Sequence, residues 1–178
     1  MELLIPGLAL VALMIYASTK IKKAAAQALE TEDVETDEFS ITKPAGFINI
    51  VSPGDGLLFH AYTREFSDDA PNFRKAEATI RVIENSDADR VLEELKRSGG
   101  DVAYQRLDSG PLYESRSCRI DRDIDGVKVI RYVKLLQKDG RVYQFQFDTP
   151  AEFKDEFGPA VREMNDSFAL KDQISSRL

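Results

Sequence analysis

Two Asp-Gly pairs, Asp125-Gly126 and Asp139-Gly140, separate three runs in which apolar and polar residues alternate, Leu112 to Ile124, Val127 to Lys138 and Arg141 to Asp148. Asp-Gly accepts the positive φ values of a type I′ turn, whose twist matches the strands that it joins. Two such turns at this spacing predict a three-stranded antiparallel meander. In its last strand Tyr143, Phe145 and Phe147 share one face and Val142, Gln144 and Gln146 the other. Successive side chains of a strand point to opposite faces, so the aromatic face is expected in the core.

The segments before the meander extend the β pattern. Phe39 to Thr42, Phe47 to Val51, Leu57 to Phe66 and Arg74 to Glu84 read as strands, the last with Ala76, Ala78, Ile80 and Val82 on one side. Lys43-Pro44-Ala45-Gly46 and Ser52-Pro53-Gly54-Asp55-Gly56 read as turns. The period then changes. From Ser86 to Ser98, Ala88, Val91, Leu92 and Leu95 fall at i, i+3, i+4 and i+7, which predicts an amphipathic helix capped by a Ser86 and Asp89 pair and stopped by Gly99-Gly100. After the meander, Thr149-Pro150-Ala151-Glu152 reads as the start of a second helix with Thr149 as its N-cap. Its stripe is Phe153, Phe157, Val161, Met164 and Phe168, and Gly158-Pro159 is expected to break or kink it. The fold class expected is α+β, an antiparallel sheet with flanking helices.

The N-terminus has a different character. Leu3 to Thr19 carries no charge, and Lys20, Lys22 and Lys23 follow. At 1.5 Å per residue, roughly 17 to 19 helical residues span about 26 to 29 Å, the short end of what crosses a hydrocarbon core. A cleavable signal peptide would place its positive charge before the apolar run, whereas here Glu2 precedes it. Residues 1–23 are therefore read as one transmembrane helix with a basic flank. Lysines tend to stay on the cytoplasmic side, so a single-pass protein with a cytoplasmic domain is expected, the alternative being a domain on the exported side. Residues 24–37, with Glu30, Glu32, Asp33, Glu35 and Asp37, read as a solvated acidic linker. Residues 38–170 form the globular domain and 171–178 a frayed tail.

Composition narrows the function. The 178 residues hold 31 acidic and 24 basic side chains, a net charge of -7, which gives no electrostatic footprint for nucleic acid. A lone cysteine, Cys118, makes no internal disulfide, and no Cys/His cluster offers a zinc site. No cofactor, metal or catalytic set is read. The one histidine, His60, reads as a strand histidine with no carboxylate pair or cysteine near it in sequence. Cys118 reads as a quiet thiol, although Arg116, Arg119 and Arg122 could lower its pKa if the strand brings them round it. Arg116, Arg119, Asp121, Arg122 and Asp123 form an alternating-sign run that describes a solvated sheet edge, and it is also the best protein-docking strip in the chain.

The opening Phe39-Ser40-Ile41 with Lys43-Pro44-Ala45-Gly46-Phe47, the late strand Asp139-Gly140-Arg141-Val142-Tyr143-Gln144-Phe145 and the helix end Asp166-Ser167-Phe168 together resemble the domain shared by the PsbP, Mog1 and DcrB-like proteins. The resemblance spans nearly all of residues 38 to 170. It implies an α/β/α sandwich serving as an accessory or protein-binding module, without shared catalytic residues. Several of those relatives are exported, whereas the lysines here argue for the cytoplasm. The function expected is a membrane-tethered, non-enzymatic interaction or assembly module with a protein partner. The alternative is a small-molecule or lipid-binding domain with a pocket between sheet and helix, motivated by Tyr143, Phe145, Phe147, Phe153 and Phe157.

Overall fold

The structure is a computed structural model and describes residues 13–14, 16–20, 26–67, 71–98, 101–109 and 113–171. The transmembrane reading of residues 3–19 therefore lies largely outside the described residues, as does the tail beyond Lys171. Among the described residues no helix is long and apolar enough to cross a membrane.

Among the described residues ten strands make two antiparallel sheets. The small sheet has the order β1-β2-β10, with β1 Glu32–Glu35, β2 Phe39–Lys43 and β10 Ala169–Leu170. The large sheet has the order β3-β4-β5-β9-β8-β7-β6. Its strands are β3 Phe47–Asn49, β4 Leu57–Thr63, β5 Glu77–Glu84, β6 Asp101–Ser109, β7 Glu114–Ile124, β8 Val127–Lys138 and β9 Arg141–Pro150. Helix α1, Ala88–Arg97, packs on one face of it. Helix α2, Lys154–Ser167, joins the small sheet on the other.

Both Asp-Gly turns form as expected. Asp125, Gly126, Asp139 and Gly140 all have positive φ, and β7, β8 and β9 pair in unbroken register. The aromatic face of β9 is the core face. Phe145 and Phe147 oppose Ile80 and Ala78 on β5 and meet Phe39, Phe47, Phe59, Met164 and Phe168. Phe145 lies 5.9 Å from Phe168 and Phe47 lies 5.9 Å from Phe147, ring to ring. Aromatic pairs at such separations add directional attraction to the area that they bury. A second, smaller core joins Val91, Leu92 and Leu95 of α1 to Cys118, Ile120, Val133 and Leu135.

Several expectations are corrected. Glu32–Glu35 in the acidic segment is a strand, in register with β2 from Glu32 opposite Lys43 to Glu35 opposite Ser40. Val34 packs against the core while the carboxylates on either side stay exposed, and Thr42 Oγ1 donates to Asp33 at 2.8 Å. Charge on an edge strand also discourages pairing with other chains. The meander has a fourth strand, β6, paired to β7 and not foreseen. Regular β4 ends at Thr63 and regular β5 begins at Glu77, leaving only an isolated bridge between Phe66 and Arg74. Asp87, not Ser86, caps α1, its carboxylate accepting from the Arg90 amide at 2.8 Å.

At α2, Thr149 is not a cap. It lies within β9, one residue from its end, with Oγ1 donating to the Lys75 carbonyl at 2.8 Å, and a 3-10 turn over Ala151–Phe153 leads into the helix. Pro159 sits inside α2 without ending it. Proline removes the donor to the carbonyl four residues earlier. Here that residue is Asp155, exposed like Pro159 itself, where water can take the place of the lost donor.

Candidate functional site

The alternating-sign run is neither an edge nor one surface. β7 is hydrogen-bonded on both sides, to β6 and to β8. Its period of two then divides the charges between the faces. Towards α1, Arg116 meets Asp89 at 3.0 Å and Arg122 donates to the Ser98 carbonyl at 3.0 Å, with Cys118 and Ile120 buried between them. Towards α2, Arg119 grips Asp121 through two hydrogen bonds of 2.8 and 2.6 Å. The Arg119 guanidinium holds the Asp121 carboxyl below its ordinary range, with a smaller contribution from Lys154 on α2. Asp123 accepts from the Gly126 amide and serves the turn. The strip of Arg116, Arg119, Asp121, Arg122 and Asp123 is thus two sets of internal ties.

Nor do the arginines activate Cys118. Burial under α1 pushes its thiol up to about 11, against a small opposing pull from Lys96. The thiolate is the reactive form, so this thiol is quiet at neutral pH. In the native protein Cys118 is expected to resist a thiol reagent at pH 7.5 and to react at the rate of a free thiol once unfolded in guanidinium. Equal rates in the two states would show that the site is open.

His60 does have a carboxylate, which the sequence separates from it and the sheet restores. Its Nε2 lies 2.6 Å from Glu77 on β5, and its ring lies 5.5 Å from Tyr62. Phe59 and Ala61 turn to the core, so His60 and Tyr62 occupy the face away from α2. On that face Arg81 donates to Gln144, Gln144 to Gln146, and Gln146 to Asp148, which Arg131 holds with two bonds of 2.8 Å. These polar groups are committed to one another. Among the described residues no group of three His, Cys, Asp or Glu could hold a metal ion.

The surface does hold hollows. One, of about 300 Å³, lies where Arg141 ties Glu38 at 2.8 Å and Glu84 at 3.1 Å. Arg141 on β9 thereby ties Glu84 on β5 to Glu38, just before β2, which is a structural role. A larger one, of about 490 Å³, runs along α2 over β7 and β8. Ser117, Tyr132 and Val133 form its floor, and Lys154, Gly158 and Arg162 line it from the helix. Of its residues the sequence weighed only Cys118 for chemistry, with Gly158, Pro159 and Val161 read as helix residues. The signal that could have found it is the i, i+4, i+8 spacing of Lys154, Gly158 and Arg162, a cationic row with a gap in the middle.

Comparison with known proteins turns on the fold. No family model matches the sequence, and no curated protein matches it. Solved structures do. Cyanobacterial PsbP (CyanoP) from Synechocystis sp. PCC 6803 is 10% identical, covering 80% of this chain and 94% of its own at a TM-score of 0.54. LpqN of Mycobacterium tuberculosis, described as involved in cell envelope biogenesis, is 12% identical, covering 80% of this chain and 91% of its own at a TM-score of 0.60. A protein of unknown function from Pseudomonas aeruginosa is 11% identical, covering 80% of this chain and 98% of its own at a TM-score of 0.50. At such identities the likeness is one of fold. The two antiparallel sheets, with α1 on one face and α2 on the other, give this chain a PsbP-like fold.

Proposed function

We propose that this chain is a non-enzymatic interaction or assembly module, held at a membrane by its N-terminal apolar segment, with the domain on the cytoplasmic side. The observation that carries the reading is the filled space between sheet and helix. Phe39, Phe47, Phe59, Phe145, Phe147 and Phe168 are each at most 1% exposed there. A domain that takes a ligand into its interior keeps a cavity lined by apolar groups with a few converging polar ones. Here the same aromatics are spent on packing. A non-enzymatic role is supported by the raised Cys118 thiol and by a histidine whose one carboxylate partner lies on an open sheet face. The membrane and cytoplasmic parts rest on the uncharged run and the three lysines after it. The open hollow along α2 favours a second reading, a small-molecule or lipid site.

The test is purification of the full-length chain from membranes in mild detergent, beside a shortened chain beginning at Ala26. The full chain is expected to sediment with membranes and to bring down a protein partner, and the shortened chain to remain in the supernatant. Asp172→Cys should stay unlabelled by an impermeant thiol reagent outside intact cells. Recovery of the full chain in a high-speed supernatant without detergent rejects the anchor, ready labelling reverses the orientation, and a bound lipid or metabolite in place of a protein favours the second reading.

A further inference from the structure

We infer that the hollow along α2 is a docking groove for an extended acidic segment of a partner protein, a proposal that rests on the interaction-module reading and names the surface it uses. Lys154, Gly158 and Arg162 stand at i, i+4 and i+8 on one side of the helix and all line the groove. Eight residues of helix put the two cations about 12 Å apart along the axis. One carboxylate cannot reach both. In an extended strand, side chains on the same side recur every two residues, about 6.8 Å, so carboxylates four residues apart span about 13 Å. Such a segment sets one carboxylate at Lys154 and one at Arg162, with its middle side chain over Gly158.

The middle of the groove is built for that side chain. A Cβ added at Gly158 would meet nothing within 4 Å, so the space between the cations is open. Below it lies the aromatic ring of Tyr132, with Ser117 as a polar group beside it, while the neighbouring Val133 turns its side chain to the core under α1. Among the described residues Lys154 and Arg162 make no hydrogen bond or ion pair, and both side chains are exposed. The nearby acids do not neutralise the row. Asp121 is gripped by Arg119 and feels Lys154 only as a smaller attraction, and Asp155 is the one acid that lines the groove. On a chain with a net charge of -7 the groove lining sets two cations against one acid. Charge complementarity of this kind steers encounter and sets register more than it adds affinity.

The test places a photo-crosslinking residue, p-benzoylphenylalanine, at Gly158 in the full-length chain in its own membranes. A second version carries it at Asp155 on the rim, in case a ring at 158 fills the groove, and a control carries it at Glu94 on α1. The crosslinked peptide is sequenced, and the experiment is repeated with Lys154→Glu and Arg162→Glu together. Thermal unfolding of each variant confirms that it folds. The expected result is a protein crosslink from 158 or 155 to a peptide with acidic residues about four apart, with a yield that drops about tenfold on the double reversal, as two exposed charge pairs turned repulsive would give. A crosslink to an acyl chain or small molecule, to a peptide without acidic residues, or with a yield unchanged by the reversal overturns the proposal. Capture at Glu94 alone overturns the groove and leaves the interaction module standing. Capture at none of the three positions overturns both.

Discussion

Phe145→Ala is expected to destabilise the domain by about 3 to 5 kcal/mol, the range for truncating a buried aromatic ring. Phe145 is fully buried in the middle of β9, opposite Ile80 and against Phe168. Its neighbours come from β2, β5, β9 and the end of α2, elements that hold one another in place and cannot all close on the void. A domain of this size has a net stability of about 5 to 15 kcal/mol, so the loss is a large share of the whole. The measurement is denaturant unfolding of the chain beginning at Ala26. It also separates the two functional readings. A ring lining a ligand cavity is partly solvated in the empty protein and costs little to remove. A loss below about 1 kcal/mol, far under the buried-aromatic range, would count against a filled core and in favour of an internal pocket.

Lys43→Met should release the segment that leads into the domain from the N-terminal side. Lys43 is fully buried, and its ammonium donates to the carbonyls of Ala28 at 3.1 Å, Glu30 at 2.5 Å and Phe47 at 3.0 Å, with Glu32 at 3.8 Å. Burial lowers its pKa, opposed by the charges of Glu32 and Glu30. The three carbonyls keep the charge hydrogen-bonded, and the lysine in turn clamps residues 28–30 onto the loop after β2. Methionine keeps most of the volume and removes the donors. A buried acceptor left without a partner costs about 1 to 3 kcal/mol. The Phe47 carbonyl stays buried, whereas those of Ala28 and Glu30 regain water if their segment swings out, so a total of about 2 to 4 kcal/mol is expected. Hydrogen exchange gives the local readout. The Gly46 amide donates to the Leu29 carbonyl at 2.8 Å, and its protection should be lost with the clamp. Unchanged melting with unchanged Gly46 protection would reject this account.

The clamp bears on how the domain sits behind its N-terminal segment. Residues 24–37 read as a solvated linker, yet the part from Ala28 to Glu35 is held by Lys43 and by the β1 to β2 ladder. If the apolar run is an anchor, the free spacer between membrane and domain is short. The groove along α2 then has a limited reach from the bilayer, which favours a partner that is itself membrane-associated.

What was legible in the sequence was what local chemistry decides. Positive φ at Asp-Gly, the period of two in β9 and the 3.6-residue period of α1 are properties of neighbouring residues, and each formed where it was read. Misreadings fell where a distant partner decides. β1 has a single apolar residue and is a strand because β2 supplies its ladder. β6 is a strand because β7 does. Thr149 had cap chemistry, but its hydroxyl donates instead to the Lys75 carbonyl, just before β5. The charged run on β7 carried a signal that was missed, since alternation alone sends its members to opposite faces.

By itself, then, the sequence determined an antiparallel meander with an aromatic core face, two helices of known register and a chain without a readable catalytic set. The tertiary structure alone decided that His60 meets Glu77, that Cys118 is sealed under α1, and that Lys154 and Arg162 overlook Ser117 and Tyr132. The reason is physical. Turn and periodicity signals are energies of neighbouring residues along the chain, whereas a groove is made by residues far apart in sequence, and only the packing of the whole domain brings them to one place.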